Sequence, residues 1–285
     1  MNKDKIGTIM IVGLGHIGGS LSLAIKKTYK DKVKIIGVDR NKKTLLQAKK
    51  TKKFAALLSA PRAKEVEASD VIFLCVSIKQ IPTILKSLSK TKLKQNAVVT
   101  DVVSTKEEIL SLAKKFLPKK TTFVGGHPIA GSEASGFLSA NPKLFEKKIF
   151  IAAGAKGRRA GILKIKSIWK GVGSRVVNMS PKEHDKIFSL LSHTPHILSF
   201  GLGKITNSKL SKKEIDGCAG TSYKDLTRIS SSSTSLWAEI FMSNKKNLLA
   251  DIALFKRYLV DLEKAIRKNN NRQIIKAINQ TTRKP

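Results

Sequence analysis

Thr8 to Ser20, TIMIVGLGHIGGS, decides the fold of this chain. Thr8 to Val12 is a short apolar run, and the chain then turns through Gly13-Leu14-Gly15-His16-Ile17-Gly18 into LSLAIKKTYK, a stretch with the apolar period of an amphipathic helix. Strand, GxGxxG and helix in that order form a dinucleotide-binding turn. Gly13 permits the tight turn, Gly15 lets backbone approach a pyrophosphate, and Gly18 lets helix pack on strand, with the helix N-terminus facing the anion. The glycine motif alone is a weak signal, but a second strand, Val33 to Val38, ends at Asp39 about 20 residues after the last glycine. A carboxylate there accepts hydrogen bonds from both hydroxyls of an adenosine ribose. Gly13, Gly15, His16, Ile17, Gly18 and Asp39 are the expected cofactor contacts. Asp39 would repel a 2′-phosphate and so favours NAD, while Arg40 beside it offers that phosphate a partner and keeps NADP open.

Outward from this turn, apolar runs and helical patterns alternate. Val71 to Val76, Ala97 to Asp101, Thr122 to Gly125, Ile149 to Ala153 and Ser174 to Asn178 are expected strands, with a helix over Gln80 to Leu88 among the connections. The pattern predicts an α/β domain of Rossmann type: a doubly wound, mostly parallel sheet with helices on both faces. Near Ser180-Pro181 strand-like runs stop and helical patterns take over to the end. The expected division is a dinucleotide-binding domain over residues 1–179 and an all-α domain over 180–285.

The chain has 285 residues and 41% hydrophobic content, enough for two domains that each bury a core. No run approaches the ~18 apolar residues of a membrane helix, and the opening residues lead almost directly into the first strand without a separate cleavable leader. A soluble cytoplasmic protein without a membrane role is expected. Lys+Arg number 55 against 20 Asp+Glu, a formal charge of +35. The lysines are scattered through every segment without aromatic interleaving, so the charge does not itself predict a nucleic-acid partner, although a basic nucleic-acid or membrane-surface binder stays open as an alternative class. Cys75 and Cys218 lack any metal or redox spacing and are expected to be buried thiols, and no metal is expected.

Ligands of doubly wound sheets sit beyond the carboxyl ends of the strands, and several polar residues fall there. Ser77 follows one strand, Asp101 and Ser104 lie in DVVSTK after another, and His127 lies in GGHPIAGSE, expected to be a glycine-lined loop open to a ligand. Ser104 with Glu107 three residues on also has the form of a capping box, a structural role compatible with a catalytic one. In the helical half, His193 and His196 in SHTPH are spaced to share a helix face, with Pro195 placed to bend it or to open it. Zinc there would need a third ligand that nothing nearby supplies. In YKDLTRI the spacing of Asp225 and Arg228 suits a carboxylate that orients a guanidinium. In a chain that uses lysine nearly everywhere, an arginine suits a site where a planar fork grips a carboxylate.

GLGHIGGS, TDVVSTK, GGHPIAGSE, SHTPHI and YKDLTRI, in this order and over essentially the whole chain, resemble the prephenate dehydrogenase family, tyrosine-pathway enzymes that include arogenate dehydrogenases. The resemblance implies NAD(P) on the N-terminal domain, a helical C-terminal domain that forms a homodimer, and an active site in the cleft between them. It implies oxidative decarboxylation of prephenate to 4-hydroxyphenylpyruvate, with His127 accepting the ring hydroxyl proton and Ser104 bonded to that hydroxyl and to His127. By the same resemblance Arg228 grips a substrate carboxylate, His193 and His196 shape the substrate pocket, and Glu133 gates it; from their own places in the chain, Asp225 is expected beside Arg228 on the substrate side and Asp101 and Ser77 on the cofactor side. Arogenate as substrate, and another NAD(P)-dependent hydroxyacid dehydrogenase, remain the alternatives.

Overall fold

The computed structural model describes residues 6–131 and 134–279. Eight strands form one sheet: β1 (Thr8–Val12), β2 (Lys34–Val38), β3 (Ala56–Leu58), β4 (Val71–Leu74), β5 (Val98–Asp101), β6 (Thr122–Ile129), β7 (Ile149–Lys156) and β8 (Arg175–Met179), in the order β3-β2-β1-β4-β5-β6-β7-β8. Every neighbouring pair is parallel except β6 with β7. β1, β4 and β5 are buried along almost their whole length, as strands covered on both faces must be, which is why they read as continuous apolar runs. The chain leaves β1 towards β2 on one side and returns to β4 on the other, so the carboxyl end of β1 is the switch point at which such sheets bind ligands.

The strand assignments from sequence hold, β1 residue for residue and β2, β4, β5 and β8 to within two residues at their ends, with three larger differences. β3 is too short to show a period and was not expected. β7 runs on to Lys156. β6 continues through His127 to Ile129, so His127 sits on a strand opposite Ile151 and not in a loop. The long antiparallel pairing of β6 with β7 carries the chain through the glycines, with a register shift between Val124 and Gly126. Gly125 and Gly126 serve that sheet: a Cβ on Gly125 would lie 2.5 Å from the Ala153 carbonyl oxygen, and one on Gly126 2.5 Å from that of Asp101.

Trp169, on helix Arg159–Gly171, closes one face of the sheet. Its ring stacks on Phe150 at 4.2 Å between centroids and meets Phe145 and Phe73 edge-on. Such large buried rings tie β7 to β4 through their burial and ring geometry.

The described residues group into two compact units, one built from the chain up to Asp185 with Ser231–Ser243, the other from Lys186–Ser230 and the chain from Asn244 on. The second unit is all helical: a π-helical turn Ser189–His193 runs into helix Thr194–Lys209, followed by Lys212–Cys218, Thr221–Arg228, the long Lys245–Arg267 and Asn271–Asn279. It leaves large apolar side chains in solvent, Leu191, Leu249, Leu254, Leu259 and Ile275 among them. No helix among the described residues is long and apolar enough to cross a membrane. Cys218 ends helix Lys212–Cys218 exposed, against the buried thiol expected, whereas Cys75 is half-buried as a residue and burial pushes its thiol pKa up.

Candidate active site

At the carboxyl end of β1, the three motif glycines answer to different demands. Gly13 has φ of +94°, and a Cβ on it would overlap the Cys75 carbonyl; a Cβ on Gly18 would overlap the Gly13 carbonyl. The protein itself requires glycine at both places. A Cβ on Gly15 meets nothing within 4 Å, and its backbone (φ −69°, ψ −161°) is open to any residue. The bare space in front of Gly15 lies at the start of helix His16–Tyr29, whose first turn carries no acidic side chain. The first N–H groups there, those of His16 and Ile17 among them, lack intrahelical partners and suit an anion.

The cavity at this point is lined by Gly13, Gly15, Asp39, Arg40, Cys75 and Ile84 among others. Asp39 is held in place by accepting from the N–H of Leu14 (2.9 Å) and that of Asn41 (2.8 Å), one to each oxygen. A carboxylate has about four acceptor positions, so two remain for ribose hydroxyls. His16 turns its Nδ1 to Ser139, 2.9 Å from the hydroxyl and the carbonyl, and Ile17 packs against the core. His16 Nε2 and Ser77 Oγ, at the start of the helix and after β4, are buried polar atoms without a hydrogen-bond partner, a capacity that a bound nucleotide is suited to fill. These residues fit a dinucleotide. Gly15→Ala is expected to leave the melting temperature within about 2 °C and to weaken NAD+ binding by about tenfold or more. Equal affinity by fluorescence titration would remove the pyrophosphate from this place.

The second polar group gathers at the carboxyl end of β5. Asp101, expected on the cofactor, is fully buried instead; its carboxylate takes the Lys106 ammonium and the N–H groups of Val103 (3.1 Å) and Gly126 (3.2 Å). Lys106, also fully buried, donates in addition to the Gly126 carbonyl at 2.6 Å. Burial pushes Asp101 up and Lys106 down, and the attraction between the two charges opposes both shifts. The pair staples the loop after β5 to the residue before His127.

The same loop is gripped from Asp185, on helix Pro181–Phe188. Its two oxygens accept from the N–H groups of Lys106 and Glu107, each at 2.8 Å. Those donors open helix Glu107–Phe116, so Asp185 caps it from 79 residues away, and the Ser104–Glu107 capping box does not form. The neighbouring His184, with no exposed surface, sets its Nδ1 2.8 Å from Asp185 Oδ1 and its Nε2 2.9 Å from His127 Nδ1. Burial, first, and the Lys106 charge hold the His184 pKa below its ordinary value, with Asp185 pulling the other way. The hydrogen bond from Ser104 to His127 that the resemblance implies is not formed in this structure; His127 Nδ1 meets His184 Nε2.

In the helical unit, His193 is buried at the end of the π-helical turn, its Nδ1 3.1 Å from Asn244 Nδ2. π-helical turns of this kind often mark functional sites. His196 donates from Nδ1 to the Ser192 carbonyl at 2.9 Å, one turn back along the helix opened by Pro195. Arg228 is the last residue of helix Thr221–Arg228. Asp225, exposed on that helix, makes no ion pair with it; a solvated pair at this spacing gains too little to fix two side chains. Glu133 lies outside the described residues.

Lys106, His184 and Asp185 escape sequence reasoning. Lys106 is one lysine among many, and nothing local marks it as buried. The adjacent His-Asp pair in SPKEHDKIF was a signal, since two titratable residues on a turn of helix between lysines seldom share one buried face.

Comparison with known proteins bears on the whole arrangement. The family profile described as prephenate dehydrogenase, nucleotide-binding domain, matches residues 21–178, and that described as prephenate dehydrogenase, dimerization domain, matches residues 180–280. The chain is 36% identical to a prephenate dehydrogenase of Bacillus subtilis over 251 residues, which is 87% of this chain and 67% of that one. It is 32% identical to one of Lactococcus lactis over 272 residues, 93% of this chain and 73% of that one. The crystal structure of prephenate dehydrogenase from A. aeolicus in complex with hydroxyphenyl propionate and NAD+ superposes with a TM-score of 0.86 at 30% identity, covering 96% of each chain.

Proposed function

The chain belongs to the prephenate dehydrogenase family, and on that premise we propose that it catalyses the NAD-dependent oxidative decarboxylation of prephenate to 4-hydroxyphenylpyruvate, a step of tyrosine biosynthesis. The observation that carries this reading is His127, an imidazole anchored through its inner nitrogen on the same sheet whose switch point holds the dinucleotide cavity. Gly126 lies beside the end of β5, which puts His127 among the carboxyl ends of the parallel strands, where such sheets bind ligands.

In this reading Gly13, Gly15, Gly18 and Asp39 hold NAD+, with Ser77, His16, Ile17 and Arg40 at its margins. The cofactor supplies the hydride acceptor. His127 takes the proton of the hydroxyl at C4 of the cyclohexadiene, and loss of that proton lets hydride depart from C4 as carbon dioxide leaves C1 and the ring aromatises to a phenolate, to which the imidazolium returns the proton. Ser104 donates to the same hydroxyl once substrate is present, and Arg228 grips a substrate carboxylate with its planar fork. His193, His196, Glu133 and Asp225 belong to the substrate side. The domain division falls between residues 179 and 180, and the helical domain forms a homodimer, which its exposed apolar side chains support. The setting is cytoplasmic.

Steady-state assays of NADH formation with prephenate and with arogenate, each with NAD+ and NADP+, test this. The expected result is turnover of prephenate with NAD+ at the highest kcat/KM. Preference for arogenate would transfer the same chemistry to a substrate with an amine in place of the side-chain ketone, and no NADH or NADPH from either would end the proposal.

A further inference from the structure

The geometry points to His184 and Asp185 as positioning residues for His127: a carboxylate, a buried imidazole and the base in series, which set the proton-accepting nitrogen of His127 and stabilise the charge it acquires. The inference rests on the reading of His127 as the base.

The chain of donors and acceptors fixes the tautomers. Asp185 is approached by three donors, the N–H groups of Lys106 and Glu107 and the Nδ1 of His184, so as a carboxylate it can only accept. His184 therefore carries hydrogen on Nδ1. Burial without exposed surface and the nearby Lys106 ammonium favour its neutral form, which leaves a lone pair on Nε2. That lone pair faces His127 Nδ1 at 2.9 Å and accepts the hydrogen there. A neutral His127 then has its one ring hydrogen on Nδ1, and Nε2 presents a lone pair for the substrate proton.

When Nε2 takes that proton, the Nδ1–H of the imidazolium binds His184 more strongly, and the Asp185 charge lies one ring beyond. The charged groups that bear on His184 include Asp185 on its own helix, Asp101 at the end of β5 and Lys106 from the loop after it, with His127 from β6. Within that set the Asp101–Lys106 pair is internally neutral, which leaves the Asp185 charge uncompensated among them. Because Asp185 also caps helix Glu107–Phe116, the orientation of the base and the DVVSTK loop that carries Ser104 share one anchor.

Nitrogen-15 spectra of histidine-labelled protein without substrate or cofactor, with His127 assigned by its loss in His127→Asn, are expected to show a protonated Nδ1 and an unprotonated Nε2 at neutral pH. The opposite tautomer would overturn the proposal, and this readout is independent of whether prephenate is turned over. In kinetics, His184→Leu is expected to lower kcat by about 10- to 100-fold with the KM for NAD+ within about twofold. His184→Gln, whose amide oxygen can accept from His127 Nδ1, should recover most of that loss. Asp185→Asn removes the charge that favours the imidazolium, so the acid limb of kcat/KM is expected to move by about half a pH unit to lower pH. A merely structural role would lower stability and leave that limb in place. An unmoved limb in Asp185→Asn, or equal losses in the Leu and Gln variants, would refute the arrangement, whereas failure of wild-type protein to reduce NAD+ with either substrate would refute the function and leave the tautomer result standing.

Discussion

His127→Asn is expected to lower kcat and kcat/KM together by about 10² to 10⁴, with NAD+ affinity and melting temperature close to wild type. The separation of effects follows from where the ring is held. His127 sits on β6 opposite Ile151, and its inner Nδ1 meets His184 Nε2 at 2.9 Å. An asparagine amide nitrogen lies near the position of Nδ1 and donates as Nδ1–H does, so the buried His184 keeps its partner and the strand keeps its place. Only the outer nitrogen is removed, and with it the acceptor of the substrate proton. Nothing in the dinucleotide cavity is touched, since its lining comes from β1, β2 and the residues after β3 and β4. A loss of kcat with unchanged NAD+ titration supports the assignment, and near-normal kcat would show that another group takes the proton.

That separation was only half legible in the sequence, and the reason is physical. The dinucleotide turn could be read because its constraints are local: Gly13 needs positive φ and Gly18 needs close packing within a single strand-turn-helix unit. The sheet strands could be read because burial on both faces writes itself as a continuous apolar run. Gly125, Gly126 and Pro128 read locally as breakers, yet those glycines are demanded by the carbonyls of Ala153 and Asp101, on other strands, which no sequence window contains. Ser104 and Glu107 match the capping-box pattern, but the Glu107 N–H that Ser104 would satisfy is taken by Asp185, far along the chain. His127 was found by its neighbours in sequence, while the residues that hold it, His184 and Asp185, are neighbours only in space.

The charge of the chain misleads in the same way, because the lysine that matters most to the fold is one that solvent never meets. Lys106→Met is expected to cost about 3 to 5 kcal/mol of stability at pH 7. The substitution fills a similar volume but leaves the Asp101 carboxylate buried with only the Val103 and Gly126 N–H groups, and it also removes the donor to the Gly126 carbonyl. The sign with pH follows from the direction in which Asp101 is shifted. Burial already raises its pKa, and without the Lys106 charge to oppose that shift it rises further. Between the unfolded value near 4 and the raised folded value, the native state binds more protons than the unfolded state, so stability falls as pH rises. Urea unfolding of the variant should thus show its penalty shrinking from pH 7 to pH 5, as Asp101 takes up a proton and becomes a neutral buried acid. Adding Asp101→Asn should restore part of the loss at pH 7, since it removes the buried charge; the Val103 and Gly126 N–H groups go to different oxygens of Asp101, so the amide oxygen keeps one of them and the residual cost is that of the other N–H and the unmet Gly126 carbonyl. A variant as stable as wild type, or a penalty that grows on acidification, would mean that the pair contributes nothing to holding β5 and β6 together beneath the base.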